Sequence, residues 1–283
     1  MRPFGYHIVG GVSLGTSLRT TAAQGFSAAQ IFLGPPQRPI IGRLSSSEIE
    51  LFLHIKKASG MKVFCHAPYT IHAFCNPERI EKNTASVVQF MKVCSNLELD
   101  GFVLHMGGTK WHENTDPIDH FLFLMKALAN ADCSCPLLLE NCASGNDLSG
   151  SLRTIRDLMD RVKDSYWEKG FPKLGICLDT CHAWAWGYNW PDEVILSSLI
   201  LDLGSNLSLI HLNSATEKVT CGGNYDRHAS LEKGVIPVEA FHRLLKKLPD
   251  VPVIVERDVY TDVFADKEVV LYADSDVCVI EGV

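Results

Sequence analysis

Residues 174–180 read LGICLDT, an apolar run too short for a globular helix and too continuous for a strand with one wet face, and it ends on an aspartate. A strand buried on both faces belongs to a parallel sheet covered by helices. Seven further runs share this character: YHIVGGV (6–12), AAQIFL (28–33), KVFCHAP (62–68), GFVLHMG (101–107), PLLLENC (136–142), LSLIHLN (207–213) and PVIVERD (252–258). Between them lie amphipathic segments with capping signals. SSSEIELFLHIKKASG opens on serines and closes on glycine, and PERIEKNTASVVQFMKVCSNL carries a proline at its start. Eight such repeats in 283 residues predict an α/β chain closed into a single-domain (β/α)8 TIM barrel. An open doubly wound sheet normally shows a Gly-rich phosphate loop after its first strand, and GGVSLG at 10–15 is only a faint imitation of one. No low-complexity tract, charge block or Gly/Ser linker marks a domain boundary.

The composition fits this reading. A hydrophobic content of 46 % supplies a sizeable core. No uncharged apolar stretch reaches the length of a membrane span, and MRPFGYHIVGG lacks the apolar core of a signal peptide, so an intracellular protein without membrane association is expected. The ten cysteines are scattered, form no CxxC pair, and in several cases (Cys65, Cys142, Cys177) sit within apolar runs. They are expected to be reduced and structural, because a free thiol in such surroundings packs as a small hydrophobe.

A barrel of this type carries its chemistry at the C-terminal ends of its strands. Six runs place a metal-capable side chain at or near that end: His66, His105, Glu140, Asp179, His211 and Glu256; His7 stands on the first run. A lone buried histidine is ordinarily a hydrogen-bonded core residue. Glu140 is different, because a carboxylate following Leu137, Leu138 and Leu139 requires a cation or several donors to offset its burial. His182 follows Asp179 by three residues, so a helical turn sets both on one side while an extended segment parts them. In NYDRHASLEKG, Asp226 and His228 are spaced to face one way in extended backbone, within a loop from Ser214 to Gly234 that is long for a βα connection.

These positions total five His, two Asp and two Glu. Imidazole mixed with carboxylate selects Zn2+, or Mn2+ or Fe2+ in its place, over Ca2+ and Mg2+. Nine ligands exceed what one tetrahedral ion takes but suit three ions per chain if a carboxylate bridges two of them. Three divalent cations would also reduce the formal charge from −7 to about −1, which removes the main objection to an anionic substrate.

HAPY (66–69), LHMGG (104–108), LLENCASG (138–145), GICLDTCHAWAWGYN (175–189), HLNSA (211–215), DRHASLEKG (226–234) and VIVER (253–257) together resemble, in order, the successive motifs of the endonuclease IV family of apurinic/apyrimidinic endonucleases. The likeness runs from about His7 to Glu256. It implies a zinc-dependent, monomeric enzyme acting on double-stranded DNA with abasic sites or blocked 3′ ends, cutting 5′ to an abasic nucleotide to leave a 3′-hydroxyl. Carried over by position, it implies a first zinc on His66, His105 and Glu140. Glu140 would bridge to a second zinc on Asp179, His211 and Glu256, and His182, Asp226 and His228 would hold a third. Glu140 and Glu256 are both candidates to orient the attacking hydroxide, and the sequence does not separate bridging ligand from general base. Tyr69 and the pair Gln37–Arg38 match positions that keep an abasic nucleotide outside the helix. His7 and Arg227 are further candidates for the DNA cleft, and Lys218 and Arg43 for phosphate contacts.

The chain departs from the family pattern at LGPPQRP, at Trp184 and Trp186, at Arg257 and in the strand-like tail DVCVIEGV. Arg257 is expected to pair with neighbours of Glu256 or to reach phosphate, and the two tryptophans to narrow the abasic pocket or to fill core. The competing reading is a metal-dependent sugar isomerase or epimerase on the same barrel. That chemistry needs one or two metals and has no use for the cluster of His182, Asp226 and His228.

Overall fold

In the computed structural model, which describes residues 2–8, 13–107, 116–145, 147–165, 170–257 and 260–274, eight parallel strands close into a barrel. The strands in chain order are β1 (Phe4–His7), β2 (Ala28–Ile31), β3 (Lys62–His66), β4 (Gly101–His105), β5 (Leu137–Glu140), β6 (Leu174–Asp179), β7 (Leu207–His211), β8 (Ser214–Ala215), β9 (His228–Ala229) and β10 (Val253–Val255). Around the barrel they run β1-β10-β7-β6-β5-β4-β3-β2, with every pairing parallel. The short β8 and β9 pair antiparallel outside it, inside the long loop after β7. The helices are α1 (Leu14–Ala23), α2 (Ser46–Ser59), α3 (Ile80–Asn96), α4 (Pro117–Asn130), α5 (Asp147–Gly150), α6 (Leu152–Ser165), α7 (Thr180–Trp186), α8 (Glu193–Leu203), α9 (Val238–Lys247) and α10 (Tyr260–Asp274). Among the described residues no helix is long and apolar enough to cross a membrane.

The local signals act as anticipated. Ser45 caps α2 by accepting from the Glu48 amide, and Gly60 ends it in the left-handed conformation that glycine adopts without penalty. Pro77 opens a 3-10 turn that leads into α3. Ser13, in the GGVSLG stretch, caps α1 through the Thr16 amide. Strand limits differ from those of the apolar runs. β1 begins at Phe4 and ends at His7, and β5 ends at Glu140, so Cys142 lies beyond the strand rather than in it. Residues 9–12 of the first run, residue 258 and the tail 276–283 lie outside the described residues; the last described helix is α10. The nine described cysteines are all free, and Cys278 falls outside.

Two apolar compartments follow from the alternation of side chains along each strand. Outward-facing residues pack with the helices in the large core. Inward-facing Ala28, Phe64, Val103, Leu138, Cys177, Leu209 and Ile254 form a separate cluster inside the barrel. Truncating a member such as Leu138 to alanine would cost about 2–5 kcal/mol in lost burial and cavity. The next inward position on each of these strands, two residues on, is Gln30, His66, His105, Glu140, Asp179, His211 and Glu256. An apolar floor thus carries a polar layer at the C-terminal mouth.

Candidate metal centre

Glu140 is the hub of that layer. It is wholly buried, and its carboxylate meets His66 Nε2 at 3.2 Å, His105 Nε2 at 3.0 Å and His211 Nδ1 at 3.0 Å. Burial alone would raise the Glu140 carboxyl, but the imidazoles of His105 and His211 overcome it and hold the group ionised well below the usual carboxylate range. Glu256, just past the end of β10, is held low in the same way: burial opposes the charge, while the imidazole of His211 favours it.

Asp179 ends β6 and is at once the N-cap of α7, where its Oδ1 accepts from the His182 amide at 2.7 Å. The turn is therefore helical, and it delivers Asp179 and His182 to the same mouth. The hairpin of β8 and β9 brings in the third pair. Asp226 stands 3.2 Å from His182 Nε2 and 3.1 Å from His228 Nε2, and His228 Nε2 lies 3.5 Å from Asp179. Burial lowers the tendency of His182 and His228 to charge, yet Asp179 and Asp226 raise both above the ordinary imidazole value. Burial likewise lowers His211, and Cys177, Glu256 and Glu140 more than reverse it.

All nine anticipated ligands therefore meet at one mouth. Four overlapping groups have ligand atoms within 4.8 Å of one another: His66, Glu140 and His211; Glu140, Asp179, His211 and Glu256; His182, Asp226 and His228; and Asp179, Cys181 and His228. His105 joins through its contact with Glu140. Without a cation, imidazolium protons must balance these carboxylates, and His228 Nε2, buried, has no hydrogen bond of good geometry among the described residues. The rear nitrogens are anchored as metal-ligating histidines require. His66 Nδ1 donates to the Ala67 carbonyl at 2.7 Å and His182 Nδ1 to the Asn141 carbonyl at 2.8 Å, leaving each Nε2 facing the carboxylates. Donor set and geometry both fit divalent cations of the zinc type.

Over the centre is a small cavity lined by His66, Tyr69, His105, His182, Asp226, His228 and Glu256. A larger one of about 1070 Å³ continues beside it past His7, Phe32, Pro35, Pro36, Tyr69 and Arg227. Tyr69 is 46 % exposed and leans on His66, His105 and Phe32. Its amide donates to the Pro36 carbonyl at 2.8 Å, which ties HAPY to the turn carrying the exposed Gln37 and Arg38. Arg227 is exposed and lies over the Tyr225 ring. Lys218 and Arg43 are exposed.

Two open alternatives are resolved. Of the two roles expected for Arg257, pairing with the neighbours of Glu256 is the one present: it is buried, pairs with Asp266 at 3.1 Å and donates at 2.7 Å to Asn213 Oδ1, which also accepts from the Glu256 amide. Trp184 and Trp186 do not line either cavity over the centre. Trp184 donates to the Val219 carbonyl, and Trp186 packs so closely over Gly150 that a β-carbon there would meet its ring at 2.2 Å.

Three buried amides were missed. Asn141 clamps the Asp179 backbone in both directions, at 2.9 and 3.1 Å. Asn213 donates to Asp179 Oδ2 at 2.6 Å and accepts from the Glu256 amide at 3.1 Å. Gln30 touches His7, His211 and Glu256. Each was visible as a polar residue inside an apolar run, which is the only signal the sequence carries for them.

Residues 18–271 match the family described as xylose isomerase-like TIM barrel. The probable endonuclease 4 of Halothermothrix orenii is 30 % identical over 274 residues, 93 % of this chain and 95 % of that protein. The endonuclease 4 of Thermus thermophilus is 28 % identical over 83 % of this chain and 84 % of its own. The crystal structure of endonuclease IV from Thermus thermophilus superposes with a TM-score of 0.80 at 26 % identity, covering 96 % of this chain and 98 % of that one. A D-tagatose 3-epimerase-like protein, at a TM-score of 0.67 and 20 % identity, shares the fold. By sequence over nearly its whole length, the chain belongs to the endonuclease IV family.

Proposed function

We propose that this protein is a zinc-dependent endonuclease of base excision repair that hydrolyses the DNA phosphodiester 5′ to an abasic site. The products would be a 3′-hydroxyl and a 5′-deoxyribose phosphate, and the same centre would clear blocked 3′ ends. The observation that carries this reading is the third cluster, His182, Asp226 and His228, set beside the Glu140 hub. A sugar isomerase or epimerase has no use for it.

His66, His105 and Glu140 would hold one ion, Glu140, Asp179, His211 and Glu256 a second, and His182, Asp226 and His228 the third, with Mn2+ or Fe2+ able to replace zinc at one site. Such ions supply Lewis acidity and lower the pKa of water toward neutrality. The two glutamates divide the remaining work by exposure. Glu140 is sealed beneath four imidazoles and would bridge two ions, whereas Glu256 keeps 17 % of its side chain exposed at the cavity. An ionised Glu256 can therefore accept a proton from, and aim, an attacking water. Tyr69, Gln37 and Arg38 would contact the duplex on one side and Arg227 on the other, with His7, Tyr69 and Arg227 lining the cavity between. This is a recess for a sugar lacking its base, which costs least to unstack. We assign the chain to act as an intracellular, single-domain monomer.

Incubation with a duplex bearing one abasic analogue tests the proposal. A single cut 5′ to the lesion, lost in Glu256→Gln, is expected; an intact strand with zinc supplied would refute it. Elemental analysis near one zinc per chain would favour the sugar-enzyme chemistry instead.

A further inference from the structure

Gln30 is wholly buried on β2, in the polar layer directly above Ala28. Its carboxamide nitrogen lies 2.9 Å from Glu256 Oε1 and 3.0 Å from His7 Nδ1, and its oxygen 2.8 Å from His211 Nε2. We infer that Gln30 is a positioning residue for the metal centre: it fixes which nitrogen of His211 and of His7 carries the proton and pins the carboxylate of Glu256. The inference rests on the metal centre proposed above.

The argument begins with Glu256. An ionised carboxylate only accepts, so the group facing its Oε1 must be the Gln30 –NH2. The carboxamide oxygen then faces His211, and because that oxygen only accepts, His211 Nε2 carries a hydrogen. In the neutral ring this leaves the lone pair on Nδ1, the atom 3.0 Å from Glu140 Oε1 and the one turned toward the ligand cluster. The second hydrogen of the –NH2 points to His7 Nδ1, which therefore accepts. The His7 proton is left on Nε2, a buried nitrogen with no hydrogen-bond partner among the described residues, on the wall of the larger cavity. One carboxamide thus makes His211 a ligand through Nδ1 and His7 a donor suited to an anionic oxygen.

Outer partners of metal ligands typically change affinity by about 10–100-fold. The test compares wild type with Gln30→Met, which keeps length without hydrogen bonds, and Gln30→Glu, which keeps an acceptor opposite His211 but sets an oxygen against Glu256. Zinc affinity is read by competition with a chromophoric chelator, and the His211 tautomer by 15N chemical shifts in histidine-labelled, metal-free protein at a pH where the ring is neutral. Cooperative thermal unfolding checks that each variant folds. The expected result is a loss of affinity in both variants, of at least about tenfold, with the Nε2–H form of His211 kept in Gln30→Glu and lost in Gln30→Met. Folded Gln30→Met that holds zinc within about threefold of wild type, far short of the usual outer-partner effect, and keeps the Nε2–H form would overturn the inference. Neither readout involves DNA. Failure to cut an abasic duplex therefore counts against the proposed function, while loss of zinc in Gln30→Met still supports the role of Gln30.

Discussion

Replacing Asn213 with aspartate exchanges one –NH2 for an oxygen, and that group sits 2.6 Å from Asp179 Oδ2 in a fully buried site. Two like charges at that separation repel by about 6 kcal/mol at an effective dielectric constant of ~20. The variant can escape by holding a proton, at a cost of about 1.4 kcal/mol for each pH unit above a normal aspartate pKa of ~3.9, or about 4 kcal/mol near pH 7. The smaller figure governs. Arg257, 2.7 Å from the retained oxygen, trims it, so Asn213→Asp should destabilise the metal-free protein by about 3–4 kcal/mol near neutrality. The sign follows from linkage. A carboxyl whose folded pKa is raised keeps its stability below the unfolded value and loses it as pH rises, so the deficit should shrink by about 1.4 kcal/mol per unit on acidification and vanish near pH 4. Asn213→Ala, which removes hydrogen bonds without adding charge, should cost about 2–4 kcal/mol with little pH dependence. Urea unfolding after chelation, repeated across pH, measures both. A deficit for Asn213→Asp that is flat with pH, or below about 1 kcal/mol, would show that this amide does not face Asp179.

Three further outcomes are expected. Asp266, fully buried against Arg257, has its carboxyl pushed up to about 6 by burial, so its contribution is intact in acid and lost as pH rises through that value; Asp266→Asn should erase a decline of about 3 kcal/mol from the stability profile between pH 4 and 7. Tyr69→Ala should weaken binding of an abasic duplex at least tenfold, by titration of a labelled strand, while changing unfolding free energy by less than about 1 kcal/mol, since the ring is half-exposed. Gly150→Ala forces a β-carbon to 2.2 Å from the Trp186 ring and should lower stability by about 1–3 kcal/mol, with a shifted tryptophan emission spectrum.

The barrel was legible because its signal is repeated: eight apolar runs, six of them with a metal-capable side chain at or near the end, admit few architectures. The nine ligands were legible for a related reason, since a charged or imidazole side chain at the end of an apolar run stands out. Asp179 and His182 needed only the helical turn that Asp179 itself caps. What the sequence concealed is the layer of neutral amides. Gln30, Asn141 and Asn213 act through orientation, and no composition or spacing rule tells a bridging carboxamide from an ordinary polar residue near a strand end. For Arg257 the sequence left two roles open for a similar reason: its partner Asp266 lies on α10, and only folding brings them together. The tryptophans beside the signature were ambiguous until Gly150 and Val219 were seen to be their neighbours.

Gln30 and Glu256 are 226 positions apart, yet they share a hydrogen bond across the junction where β1 lies between β2 and β10. During synthesis every earlier strand leaves the ribosome before Val253–Val255, and until that last strand docks, β1 and β7 present open edges and the polar layer at the mouth lacks the Glu256 carboxylate. Nuclease competence is in this way deferred to ring closure, and a half-made chain has no assembled site with which to cut DNA.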